Sequence, residues 1–203
     1  MPYAGQRVGT DTILIPDGTL LPIPKNSVHD FWSAPKQLGS SLHDPALLGA
    51  CGFNCSGYGE LIAILILLIN NADLTLDNCY INNLREQPAI LPRSNWLQHP
   101  VATVASNFSG VQLDIYTNQD AFQVYSCPGQ AGTLPLKSTQ GIANRTAVIE
   151  KYGCVVFEVQ DWIDGINHPE WGRTEHQVFG PDTGAFELGA KYVFSVAEKG
   201  ASC

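Results

Sequence analysis

Charge is scarce in this 203-residue chain, and most of it has one sign. Lys and Arg number 11 against 19 Asp and Glu, a net charge of -8, with charged residues at 15% of the total. That balance argues against a nucleic-acid partner, because phosphate binding needs clustered Lys and Arg and no such cluster occurs. Long apolar runs are equally rare. The one strong run, Leu61 to Ile69, is too short for a membrane span, which takes roughly 20 apolar residues as a helix. No long amphipathic helical pattern stands out. Glycine-rich phosphate loops and convincing metal-ligand spacings are also missing. Cys51 and Cys55 lack a second pair for zinc, and none of the five histidines pairs with another at such a spacing. The opening Met1-Pro2-Tyr3-Ala4-Gly5 has neither the basic nor the apolar region of a secretory signal.

Turn-forming residues are abundant instead. Thirteen Pro and 19 Gly beside sparse charge fit many short strands joined by tight turns, so the expected class is all-β. Residues 111–117 and 122–126, separated by Asn118-Gln119-Asp120, read as a hairpin, and 155–160 and 192–196 as further strands. A chain of this length with 44% hydrophobic content makes one domain the default. Six cysteines permit fifteen pairings, and the pairing stays open, with Cys127 and Cys154 in the same expected neighbourhood. The even count and the sequons at Asn54, Asn107 and Asn144 lean toward an oxidising, extracellular setting.

The segment Tyr152-Gly153-Cys154-Val155-Val156-Phe157-Glu158-Val159-Gln160-Asp161-Trp162 sets one carboxylate in what otherwise reads as a buried strand. Alternation puts Cys154, Val156, Glu158 and Gln160 on one face and Val155, Phe157 and Val159 on the other. A carboxylate beside an amide on a half-apolar surface suits binding a polyhydroxylated ligand and moving one of its protons, since partial burial raises an acid toward the range of a general base. An exposed acid near a strand end is the plain alternative. Gln123 and Tyr125 likewise share a strand face, where Gln123 is either a ligand contact or a solvent-facing residue.

The run continues Ile163-Asp164-Gly165-Ile166-Asn167-His168-Pro169-Glu170-Trp171-Gly172, and with it the segment resembles the C-terminal signature of fungal-type aldose 1-epimerases, or galactose mutarotases. Asp114 to Gln119, Phe122 to Cys127, Ile15-Pro16-Asp17-Gly18, Asp30-Phe31, Pro35-Lys36 and Gly39 resemble further motifs of that family in the same order. The resemblance implies a galactose mutarotase-like supersandwich of which residues 1–203 are the C-terminal part, the N-terminal part being missing. It implies a monosaccharide substrate and no cofactor. It makes Glu158 the catalytic base and Asp77, Gln123 and Gln160 substrate-binding residues.

Two departures from the family pattern carry expectations of their own. Cys51-Gly52-Phe53-Asn54-Cys55-Ser56-Gly57-Tyr58 matches the first half of a family motif and Asp77-Asn78-Cys79-Tyr80-Ile81 its continuation. Residues 59–76 between them then read as an in-frame insertion, such as a retained intron, or else as a loop or strand peculiar to this protein. The family's acid histidine, with its accompanying histidine and arginine, would lie upstream of Met1, and none of the histidines here matches those motifs. His168 lines the cleft or bonds locally; His29, His43, His99 and His176 default to the surface. The alternatives to an active epimerase are therefore a non-catalytic carbohydrate-binding remnant and an inactive truncated product. A half-sandwich would leave unpaired edges and an uncovered apolar face.

Overall fold

Short strands carry nearly all the regular structure, as the Gly, Pro and charge content predict. The computed structural model describes residues 1–11, 13–41, 77–83, 95–127, 130, 132–140 and 147–196, with the side chain of Asp77 outside that description. The strands are β1 (Gln6–Thr10), β2 (Pro16–Pro22), β3 (Asp77–Ile81), β4 (Ala102–Ala105), β5 (Val111–Thr117), β6 (Ala121–Tyr125), β7 (Leu134–Pro135), β8 (Val148–Ile149), β9 (Val156–Gln160) and β10 (Ala190–Val196). One short helix among the described residues, α1 (Thr174–Gln177), follows a single helical turn at Pro169–Trp171. Residues 59–76, the apolar run within them, Cys51, Cys55, His43 and the sequons at Asn54 and Asn144 lie outside the described residues.

A five-stranded antiparallel sheet runs β2-β1-β3-β6-β9 and a three-stranded one β10-β5-β4, with β7 and β8 as a separate pair. This all-β arrangement agrees with the mutarotase-like sandwich expected from the sequence. Strand alternation gives the large sheet two apolar faces. One presents Tyr80, Phe122 and Val124 to Val101, Ala102 and Ile115 of the smaller sheet and its approach, with Ala4 and Ile23 closing the core. Tyr80 stacks on Phe122 at 6.0 Å between ring centroids, and Phe31 meets Tyr80 edge-on at 6.3 Å. The opposite face presents Val8, Cys79, Ile81 and Ala121, covered by Leu20, Trp162 and Trp171.

Two sequence expectations are corrected here. Residues 111–117 and 121–125 form strands, but β5 and β6 belong to different sheets, so 118–120 is a corner and not a hairpin turn. The physical reason is a set of bonds to the chain before β10. Asn118 Nδ2 and Gln119 Nε2 donate to Glu187 O, and Gly189 N donates to Asn118 Oδ1, while Gln119 and Asp120 are buried. The strand holding Glu158 is also not buried. β9 is the edge of its sheet, and Glu158 is exposed.

An uncovered apolar surface is present as well. Tyr192 and Phe194 pair with Ile115 and Leu113, so they share the inward face of the small sheet. Yet Tyr192, Phe194 and Val196 remain 44%, 70% and 75% exposed.

Candidate functional site

Register on the β3-β6-β9 strands places the sequence-singled residues in successive cross-strand rows. Gln123 lies directly opposite Glu158 on one side and Cys79 on the other. Directly opposed residues have Cβ atoms about 4.5–5.5 Å apart, so an amide and a carboxylate stand within one sugar's reach. The next row toward the strand ends is Ile81, Ala121 and Gln160, and the next row the other way is Asp77, Tyr125 and Val156 in backbone pairing. Glu158, Gln123 and Gln160 thus share one sheet face. Asp77 takes the neighbouring register position, while its side chain is outside the described residues.

Glu158 makes no hydrogen bond or ion pair among the described residues, and its exposure leaves both oxygens open to a ligand. The partial burial inferred from sequence is absent because, among the described residues, no strand lies beyond β9 to shield it. Gln160 is tied down more firmly. Its side chain bonds to the Cys79 thiol across the small Ala121, and the Ile163 backbone bonds the same sulfur. Burial pushes the Cys79 thiol up to about 11, which these two bonds oppose, so it stays a neutral part of the floor. Sequence reasoning missed Cys79. Its position two residues after Asp77 in an alternating strand was the available signal.

Both ends of the β6–β9 pair are clamped. Cys127 and Cys154 are disulfide-bonded, continuing the same register two residues beyond the Tyr125–Val156 pair. This settles one pairing that the sequence left open. At the other end Arg173 Nη2 donates to Asp120 Oδ2 at 2.6 Å and to Asp161, with side chains only 12%, 8% and 12% exposed. Burial works against that guanidinium's charge, but the bonds and charges of Asp161 and Asp120 outweigh it and raise its pKa above the ordinary value. Gln177 Nε2 adds bonds to Asp161 and to Trp162 O. No sequence signal pointed to this triad, because its members are brought together by the return of the chain after β9.

That return also fixes His168. The segment after Glu158 crosses the sheet to β2, where Trp171 Nε1 donates to Gly18 O at 3.0 Å and His168 Nε2 meets Pro16 O at 3.3 Å. His168 stacks on Trp171 at 4.3 Å and bonds Glu170 through Nδ1 at 2.9 Å. Gly18 is required in β2, since its φ is +86° and an added Cβ would lie 3.2–3.3 Å from Glu170 and His168. Between β2 and β9 lie four strand spacings, on the order of 19 Å. His168 therefore bonds locally and is not a neighbour of Glu158.

Among the described residues no three His, Cys, Asp or Glu side chains group as metal ligands, and no helix is long and apolar enough to cross a membrane. No family model matches the chain. Two curated relatives do. The chain is 33% identical over 208 residues to a "Probable aldose 1-epimerase" of Arthroderma benhamiae, covering 97% of this chain and 42% of the relative. It is 30% identical over 207 residues to "Epimerase FSL3" of Gibberella zeae, covering 97% and 41%. The chain thus spans about two fifths of the length of these relatives. With order of motifs, sheet architecture and both relatives in agreement, this chain belongs to the aldose 1-epimerase family.

Proposed function

We propose that this chain supplies the base-bearing part of an aldose 1-epimerase that interconverts the α and β anomers of free hexoses such as galactose and glucose. The observation that carries the proposal is the direct cross-strand opposition of Gln123 and the exposed Glu158. Ring opening needs a base for the anomeric hydroxyl and an acid for the ring oxygen, and no cofactor. Glu158, with its free oxygens, is the base. Gln123 and Asp77 bind sugar hydroxyls, and Gln160, held by Cys79, shapes the floor beside them. A small sugar is the partner, and the Cys127–Cys154 disulfide supports an extracellular setting.

Binding without turnover is the second reading, and the remoteness of His168 favours it for this chain alone. A base without its acid forfeits roughly 10²-fold to 10⁴-fold in rate. Polarimetry of freshly dissolved α-galactose tests both readings. The 203-residue chain alone is expected to equilibrate the sugar slowly. A chimera in which it replaces the matched part of the Arthroderma benhamiae relative is expected to act rapidly. A folded chimera that binds galactose without catalysing would replace the first reading by the second, and one that does neither would remove both.

A further inference from the structure

On the sheet face opposite Glu158 lies a group of polar side chains that the proposed chemistry does not use. Arg7 of β1 pairs in register with Tyr80 of β3, and Arg7 Nη1 donates to Asn78 Oδ1 at 3.2 Å. The loop after β2 packs over them and brings in Ser27 and His29, beside Lys36 Nζ, which donates to the carbonyls of Ser27 and Val28 at 3.0 Å. His29 feels the charges of both Arg7 and Lys36.

Two features of this group are unusual. Arg7 is half-buried, yet no carboxylate lies within ion-pair range of it among the described residues. The carboxylate whose charge acts on it, Asp17, is exposed and takes hydrogen bonds from Thr19 N at 2.9 Å and Thr19 Oγ1 at 2.6 Å. A half-buried cation without a counter-charge is costly.

The second feature is a set of buried polar atoms with no partner: Asn78 Nδ2, Tyr80 Oη, His29 Nδ1 and Ser27 Oγ. Their residues are closed off, Tyr80 at 0%, Asn78 at 5% and His29 at 8% exposure. Buried polar groups are nearly always paired, so each unpaired one calls for a reason. Here the reason is chemical. Asn78 Nδ2 can only donate, a tyrosine hydroxyl and a serine hydroxyl can donate, and a neutral imidazole donates from Nδ1 in one tautomer. The acceptor of Asn78 is already spent on Arg7. The group is thus rich in donors, positive in charge and short of acceptors.

We propose that Arg7, Asn78, Tyr80 and His29 form a binding site for a small oxyanion, a carboxylate or phosphoryl group, with the half-exposed Arg7 guanidinium at its mouth. Such a ligand supplies acceptor oxygens and negative charge together, which water supplies only in part. Arg7 is the residue whose loss removes both the charge and the fork of donors.

Thermal melts of the 203-residue chain at pH 7 in sodium chloride, sodium acetate and sodium phosphate of equal ionic strength provide the test. The expected result is a saturable rise in melting temperature with acetate or phosphate over chloride, abolished in Arg7→Met. Saturation matters, because phosphate also raises stability non-specifically by exclusion from protein surface. A rise with acetate marks a carboxylate ligand, and a rise with phosphate alone marks a phosphoryl group. Identical melts in the three salts, or an equal rise in Arg7→Met, would overturn the proposal. Should Arg7→Met fail to fold, the wild-type imidazole NMR signals decide. The His29 signal is expected to move with anion while those of His99, His168 and His176 stay; no movement, or movement of all alike, would overturn it.

Discussion

Replacing Cys127 and Cys154 together by alanine cuts the covalent link between the ends of the two strands that carry Gln123 and Glu158. The bridge joins Cα atoms 5.5 Å apart and closes a loop with a sequence separation of 27. The chain-entropy relation then gives a contribution of about 3.5 kcal/mol at 25 °C. For a chain of this size 1 kcal/mol moves the melting temperature by about 2–4 °C, so the double variant is expected to melt about 7–14 °C lower. Location sharpens the expectation. The Arg173 clamp still holds the Ala121–Gln160 end, so loosening is confined to the Tyr125–Val156 end. Calorimetry measures the first effect and amide hydrogen exchange the second. The reasoning is refuted by a melting temperature within about 2 °C of wild type, or by faster exchange at Ala121 and Gln160 than at Tyr125 and Val156.

Arg173→Met removes the counter-charge shared by two largely buried carboxylates, so urea denaturation should show a loss of about 3–5 kcal/mol, largely recovered when Asp120→Asn and Asp161→Asn are added. His29 is held down to about 4, from 6.5, by burial first and then by Arg7 and Lys36. The unfolded chain therefore takes up the proton first as pH falls. In chloride buffer, stability should drop between about pH 6.5 and 4 by up to about 3 kcal/mol, and denaturant midpoints for His29→Phe should lack that drop. Deleting residues 59–76, the insertion expected from the sequence, should raise soluble yield and melting temperature; lower values for the deleted chain would count against that expectation.

Alternation explains what was legible in the sequence. The shared face of Glu158 and Gln160, and that of Gln123 and Tyr125, follow from a period of two once each segment is taken as a strand. What alternation does not carry is which strands are neighbours. β5 and β6 look like a hairpin, yet the buried Gln119 and Asp120 turn the chain into the other sheet. For the same reason the edge position of β9, and with it the exposure of Glu158, was invisible. The Arg173 triad and the Arg7 group join residues as far apart as 53 and 71 positions. Their members carry no local pattern, and only the assembled sheet brings them together.

The most direct test of the central claim is the anomerisation rate of Glu158→Gln in the chimera with the Arthroderma benhamiae relative, read by polarimetry beside galactose affinity. The substitution keeps shape and hydrogen bonding while removing the ability to take a proton. The account predicts a rate at least about 10²-fold lower with affinity nearly unchanged. Turnover close to that of the unsubstituted chimera would contradict it.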